Sequence, residues 1–175
     1  MSKSAALREE LKASLWPFLD RAGFIRGKST SLFTPFRRHT AEMVHVCEIQ
    51  WDKSYRPSFV INFGELTADR FALVPTREVE SGWLLNHCDE QLRLKGRRVL
   101  LGSAGSWYQP SKPLWEAITT LRWKYSPAEV TARVIDNFSE VEDWWRTKAI
   151  GPHVVEMRTS LERVTQQPHA ASGAR

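Results

Sequence analysis

Leu7, Leu11, Leu15, Phe18, Leu19 and Ala22 recur at three- and four-residue intervals, the spacing that lines one face of an amphipathic helix. Pro17 falls inside this stripe. It lacks a backbone N–H and its ring crowds the preceding turn, so it predicts a kink or a restart. Gly23 follows where a left-handed cap closes a helix. Residues 24–27 and 31–38 read as extended, with Pro35 marking an edge strand or a bulge. The strictest alternation comes next: Met43, His45, Cys47, Ile49 and Trp51 interleave with Val44, Val46, Glu48 and Gln50. A turn from Asp52 to Pro57 leads to a second alternating run, Ser58 to Leu66, and two such runs with a short connection predict an antiparallel hairpin. A further strand is expected around Trp83 to Leu94, and a shorter one at Arg97 to Leu101.

Beyond the loop Gly102–Ser106 the period changes to that of helices. Leu114, Trp115, Ile118 and Leu121 mark a short one. Ser126-Pro127-Ala128-Glu129 is a capping box with proline at the first helical position, and Val130, Val134, Ile135 and Phe138 supply its apolar stripe. A second box, Ser139 to Glu142, predicts a break near Asn137. Gly151-Pro152 is expected to start a last helix carrying Val154, Met157, Leu161 and Val164. Helix, then strands, then helices is the order of an α+β fold. The expectation is an antiparallel sheet of about four to six strands, with the N-terminal helix and the C-terminal helices packed on one face. Residues 1–165 form one domain in this reading, and 166–175, small and polar, a disordered tail.

Composition sharpens the picture in three ways. A chain of 175 residues is the size of one ordinary domain, and 42% hydrophobic content with eight tryptophans excludes a disordered polymer. No apolar run reaches the length needed to cross a bilayer, the N-terminal residues Met1–Glu10 lack the apolar stretch of a signal peptide, and two cysteines make no disulfide framework. These features predict a cytoplasmic protein with reduced thiols and no membrane association. The formal charge of +5 is unevenly spread. Between Gln91 and Tyr125 lie seven bases and one acid, a surplus of six, so the rest of the chain is close to neutral.

The run Trp16-Pro17-Phe18-Leu19-Asp20-Arg21-Ala22-Gly23-Phe24, leading into Leu32-Phe33-Thr34-Pro35-Phe36-Arg37-Arg38, resembles the opening of a family catalogued only as domain of unknown function 4304. The strand Phe59-Val60-Ile61-Asn62-Phe63-Gly64 and the segment His87-Cys88-Asp89-Glu90-Gln91-Leu92-Arg93-Leu94 are similar to later parts of that family's pattern. The order of His87 and Cys88 departs from it. The resemblance covers roughly Leu11 to Val141, implies an α+β fold and supplies no activity.

For chemistry, His45 and Cys47 share a strand face and His87 or Cys88 offers thiolate or imidazole, the ligands zinc favours. His87 and Cys88, however, point to opposite faces as neighbours on a strand, and no paired-ligand spacing occurs. Mid-strand cysteines lack the electropositive, open setting of nucleophiles, and no catalytic residue, metal site or cofactor is implied. Asn62, an amide in an apolar strand, is either a tie between strands or a recognition group. Bases and aromatics interleave around Arg93, Arg97, Arg98 and Trp107, the chemistry that holds phosphates and stacks bases. Asn62, His87, Arg93, Arg97, Arg98 and Trp107 are therefore the candidate binding residues. Trp115 reads equally as a core residue of its helix. The leading expectation is a non-enzymatic interaction domain whose partner is another protein or an acidic ligand. Single-stranded nucleic-acid binding and a metal- or cysteine-dependent enzyme are the alternatives, and the oligomeric state is open.

Overall fold

The computed structural model describes residues 3–54, 56–81, 83–96 and 107–157. The strand expected at 97–101, the loop at 102–106, Leu161 and Val164 of the expected last helix, and the tail at 166–175 lie outside the described residues.

The chain opens with α1 (Lys3–Glu10), a π-helical stretch (Leu11–Leu15) and α2 (Trp16–Arg21). Leu7, Leu11, Leu15 and Leu19 repeat every four residues and all are buried. In a regular α-helix that spacing drifts by about 40° per step. The wider π turn takes back part of the drift and keeps the four leucines on one line. It also answers Pro17. Trp16 N–H bonds to the Leu11 carbonyl, five residues back, and Pro17 sits in the first turn of α2, where its missing N–H costs little. The helix is re-phased there. Gly23, at φ 84°, closes it, with Phe24 N–H reaching the Leu19 carbonyl at 3.0 Å as in a Schellman cap.

Six strands follow in a meander, each antiparallel to the next: β1 (Ile25–Arg26), β2 (Phe33–His39), β3 (Met43–Trp51), β4 (Phe59–Thr67), β5 (Gln91–Leu94) and β6 (Val154–Glu156). The expected hairpin is β3 and β4, with Ile49 opposite Ile61 and Glu48 opposite Asn62. Pro35 lies in β2 opposite Glu48, and its carbonyl accepts from Gly27 N–H just past the end of the two-residue β1. It thus stands where the sheet edge begins, a place that needs no further donor.

One face of the sheet carries Phe36, Cys47, Ile49, Phe59, Ile61, Phe63, Leu92, Leu94 and Val154, packed against the N-terminal leucines and against α6 (Pro127–Thr147). The predicted capping box opens α6: Ser126 Oγ accepts from Glu129 N–H at 3.2 Å, while Glu129 Oε2 accepts from Ser126 N–H at 2.6 Å. The break expected near Asn137 does not occur. Ser139 Oγ bonds back to the Asp136 carbonyl, and Phe138, Val141, Trp144 and Trp145 continue one buried stripe that is worth more than a second cap. Both adjacent tryptophans are buried on the sheet.

Two expected elements are replaced. The span from Trp83 is not one strand: Trp83–His87 is a 3-10 helix, and only Gln91–Leu94 pairs. With α3 (Ala68–Ala72) and α4 (Thr76–Ser81) it covers one end of the second sheet face, where Leu84, Leu85 and Cys88 meet Val44, Val46 and Leu66. After Gly151 the chain forms β6, because Val154 completes the core face beside Leu94. The short helix α5 (Leu114–Thr120) forms where expected.

Candidate functional site

The middle of the second sheet face is polar. Glu48 and Gln50 of β3, Asn62 of β4 and Arg93 of β5 project there from three neighbouring strands. Arg93 donates from Nε to Asn62 Oδ1 at 2.8 Å and from Nη2 to Gln50 Oε1 at 3.0 Å. Asn62 Nδ2 donates to Gln50 Oε1 at 2.8 Å and, at a long 3.4 Å, to Glu48 Oε1. Trp107 lies beside the group, with the Arg93 guanidinium 6.0 Å from its ring centre. Three of the expected binding residues, Asn62, Arg93 and Trp107, are therefore neighbours. Asn62 is only 3% exposed, and its amide ties the strands together. Glu48 and Gln50 were not singled out from sequence, although their place on the polar side of an otherwise apolar alternation was the available signal. Burial pushes the Glu48 carboxyl up to about 7, against the opposing pull of the Asn62 amide and the Arg93 charge.

His87 is elsewhere, in the 3-10 helix, where Nε2 is 2.6 Å from Glu78 Oε2. Arg97 and Arg98 lie outside the described residues. His45 and Cys47 do share a face, the core face. His45 stacks on Trp145 at 4.6 Å with planes 3° apart, and Arg38 Nη2 donates to its Nδ1 at 2.9 Å. Arg38 is itself held by Glu142 through both nitrogens. Burial raises the Cys47 thiol far above its ordinary value and pushes that of Cys88 up to about 12. Both cysteines are free and buried, a setting that favours the thiol over the reactive thiolate. Among the described residues no three His, Cys, Asp or Glu side chains cluster as metal ligands.

The basic-aromatic segment folds into something its composition did not foretell. Residues 109–125 leave the sheet as an arm and return to its root. Tyr108 pairs with Phe59, Ser111 with Lys124, and Tyr125 N–H bonds to the Pro110 carbonyl at 2.7 Å. Ala117, Tyr108 and Tyr125 are buried and anchor the arm. The rest of its apolar side chains face outward: Leu114, Trp115, Ile118, Leu121 and Trp123 are each 60–88% exposed. Trp115 is thus not a core residue. Two of the charges around the patch are paired within the chain. Lys112 pairs with Glu116 and Thr120, and Arg122 forms a two-pronged pair with Glu129 at 3.0 and 3.1 Å. Leu121, the most exposed of the five, holds a left-handed backbone at φ 51° as it ends α5, a conformation in which a branched side chain is strained and glycine is not.

No protein-family model, no curated protein and no solved structure matches the chain. No helix among the described residues is long and apolar enough to cross a membrane.

Proposed function

We propose that this protein is a non-enzymatic interaction domain whose α5 arm docks into an apolar groove on a partner protein, and that it is a divergent member of the 4304 family its opening helix and strands resemble. The observation that carries the docking role is the outward apolar face of the arm. Leu114 and Ile118 stand at positions i and i+4 of α5, the spacing with which a short amphipathic helix enters a groove, and Leu121 extends the outward apolar surface just past the helix end. Trp115 and Trp123 flank them as the large anchors that dominate protein interfaces. Each of the five is 60–88% exposed, and large apolar side chains turned outward along one short arm are a mark of an interaction site.

The chemistry of the rim favours a protein over an anionic lipid surface. Lys112 and Arg122 are neutralised by Glu116 and Glu129, so neither adds a free positive charge that would draw the arm to a membrane. The strained Leu121 supports the same reading, since glycine would relieve the backbone and lose an anchor.

A photo-activatable residue placed at 115 or at 121, with exposed Asp136 of α6 as the control position, tests the proposal in the native cell. One and the same protein should be captured from both arm positions, not from 136, and its capture should disappear when Ile118→Asp is added. Equal capture at all three positions, or capture unaffected by Ile118→Asp, contradicts it.

A further inference from the structure

The fold sets two cations side by side on the second sheet face. Leu94 belongs to the core, and a Cβ on Gly96 would stand 3.2 Å from the ring of Tyr108, also in the core. The alternation of β5 therefore turns Arg93 and Lys95 to the opposite face, about 7 Å apart along the strand. Lys95 is kept in that extended run by its N–H, which donates to the His153 carbonyl at 2.9 Å. Gln50 pairs with Val60, the residue next to Ile61 as Lys95 is next to Leu94, so Gln50 and Lys95 stand in one row across the sheet. Arg93 leans into that row, because its Nη2 reaches Gln50. Trp107 precedes Tyr108, which pairs with Phe59, and its ring centre lies 6.0 Å from the Arg93 guanidinium.

Nε and Nη2, the donors on one edge of the Arg93 guanidinium, are taken by the neutral oxygens of Asn62 and Gln50. This fixes the plane of the group and leaves its end edge, one N–H from each Nη, for an oxyanion. Neither Arg93 nor Lys95 has a carboxylate at ion-pair distance among the described residues, whereas Lys112 and Arg122 each have one. Burial and then the Arg93 charge hold the Lys95 ammonium below its ordinary value. Glu48 pulls the other way on Arg93 from two strands off, and burial pushes its own carboxyl up to about 7. Two half-buried like charges side by side cost the fold stability, a cost that a bound anion removes. We infer that Arg93 and Lys95 form an oxyanion site, which takes the carboxylate or phosphate of a small acidic ligand and sets the ligand's apolar part against Trp107. The site uses none of the five outward side chains of the arm and does not depend on docking.

Isothermal titration of the full chain with acetate, benzoate, inorganic phosphate and phenyl phosphate tests this. Benzoate should bind more tightly than acetate, and phenyl phosphate more tightly than inorganic phosphate, with affinity falling as salt is added. A preference for phenyl phosphate over benzoate identifies a phosphate ligand, and the reverse a carboxylate. Arg93→Gln and Lys95→Gln should each weaken the preferred ligand about tenfold or more. Glu48→Gln should tighten binding at pH 8, because it removes a competing negative charge. Lys12→Gln, on the N-terminal helix and already paired with Glu9, should bind as the parent does. Arg93→Gln also loses the ties to Asn62 and Gln50 and is checked by far-ultraviolet circular dichroism. Lys95→Gln decides the matter if that variant misfolds, since the Lys95 side chain bonds to nothing among the described residues. No binding of any of the four, no preference for the aromatic ligands, or equal affinity of the parent and Lys95→Gln overturns the inference.

Discussion

His45 and Glu48 stand three residues apart on opposite faces of β3, and their proton equilibria are displaced in opposite senses. Arg38 can only donate, so His45 Nδ1 accepts and the ring is neutral. Burial, then the charges of Arg38 and Lys148, push its pKa down to about 4 from an ordinary 6.5. The unfolded chain takes up the proton first as pH falls. The contribution of His45 is therefore complete above 6.5 and is lost as pH drops through about 4. Glu48 behaves the other way. Raised to about 7 from 4.5, it holds its proton longer in the fold, so its contribution is present below 4.5 and is lost as pH rises through about 7. Urea midpoints recorded from pH 4 to pH 8 separate the two. His45→Gln should flatten the acid side of the profile. Glu48→Gln should leave stability near pH 4.5 unchanged and raise it at pH 8, on the order of 1–3 kcal/mol. A Glu48→Gln variant no more stable than the parent at pH 8 contradicts the protonated-carboxyl reading. Gly64 adds a steric constraint on the same sheet: a Cβ there would stand 2.6 Å from the Glu90 carbonyl oxygen and 2.9 Å from Cys88 Cβ. Gly64→Ala should cost about 1–3 kcal/mol in the same measurement.

At the scale of elements, the ones legible in the sequence are those whose own residues decide them. The β3–β4 hairpin follows from two alternating runs, and the start of α6 from a serine, a proline and a glutamate in the right order. What was illegible depended on distant neighbours. Trp83–His87 has strand-like residues, yet Leu84 and Leu85 close over Val44 and Val46, and a 3-10 turn aims both at that small core. Ser139 has capping chemistry, yet the buried run from Phe138 to Trp145 overrides it. β6 forms because Leu94 offers an edge, not because residues 154–156 announce a strand. Asn62, Arg93 and Trp107 come together on one sheet face while His87 stands apart, and Glu48 and Gln50 join them because register sets β3 across from β4 and β4 across from β5. The end of α5 bears on function as well as fold. Leu121 at φ 51° is a residue that backbone preference alone would replace by glycine. Leu121→Gly should raise the unfolding temperature or leave it unchanged, because an exposed side chain is lost while strain of about 1 kcal/mol is relieved. A clear fall in unfolding temperature would mean that the leucine serves the fold rather than a partner.

Across the whole molecule, the sequence placed its charge in one segment and its tryptophans everywhere, and folding rearranges both. Among the described bases of the segment from Gln91 to Tyr125, Arg93 is held by the neutral amides of Asn62 and Gln50, Lys112 pairs with Glu116, and Arg122 pairs with Glu129. That segment instead presents apolar surface. Cations from the near-neutral remainder gather around Trp16 and Trp51. No linear count of charge reveals this, because the packing of a helix on a hairpin lays Arg8 over Trp51 and Arg26 over Trp16. The molecule thus presents an outward apolar arm on a sheet whose core face is filled by aromatic and aliphatic packing. The docking arm is the central claim. Its most direct measurement is the affinity of the purified partner captured at residues 115 and 121, titrated against the parent chain, Ile118→Asp and Asp136→Lys. Ile118→Asp should weaken binding at least tenfold, about 1.4 kcal/mol or more, with the unfolding temperature little changed, while Asp136→Lys binds as the parent does. Equal affinity for the parent and Ile118→Asp would contradict docking through α5.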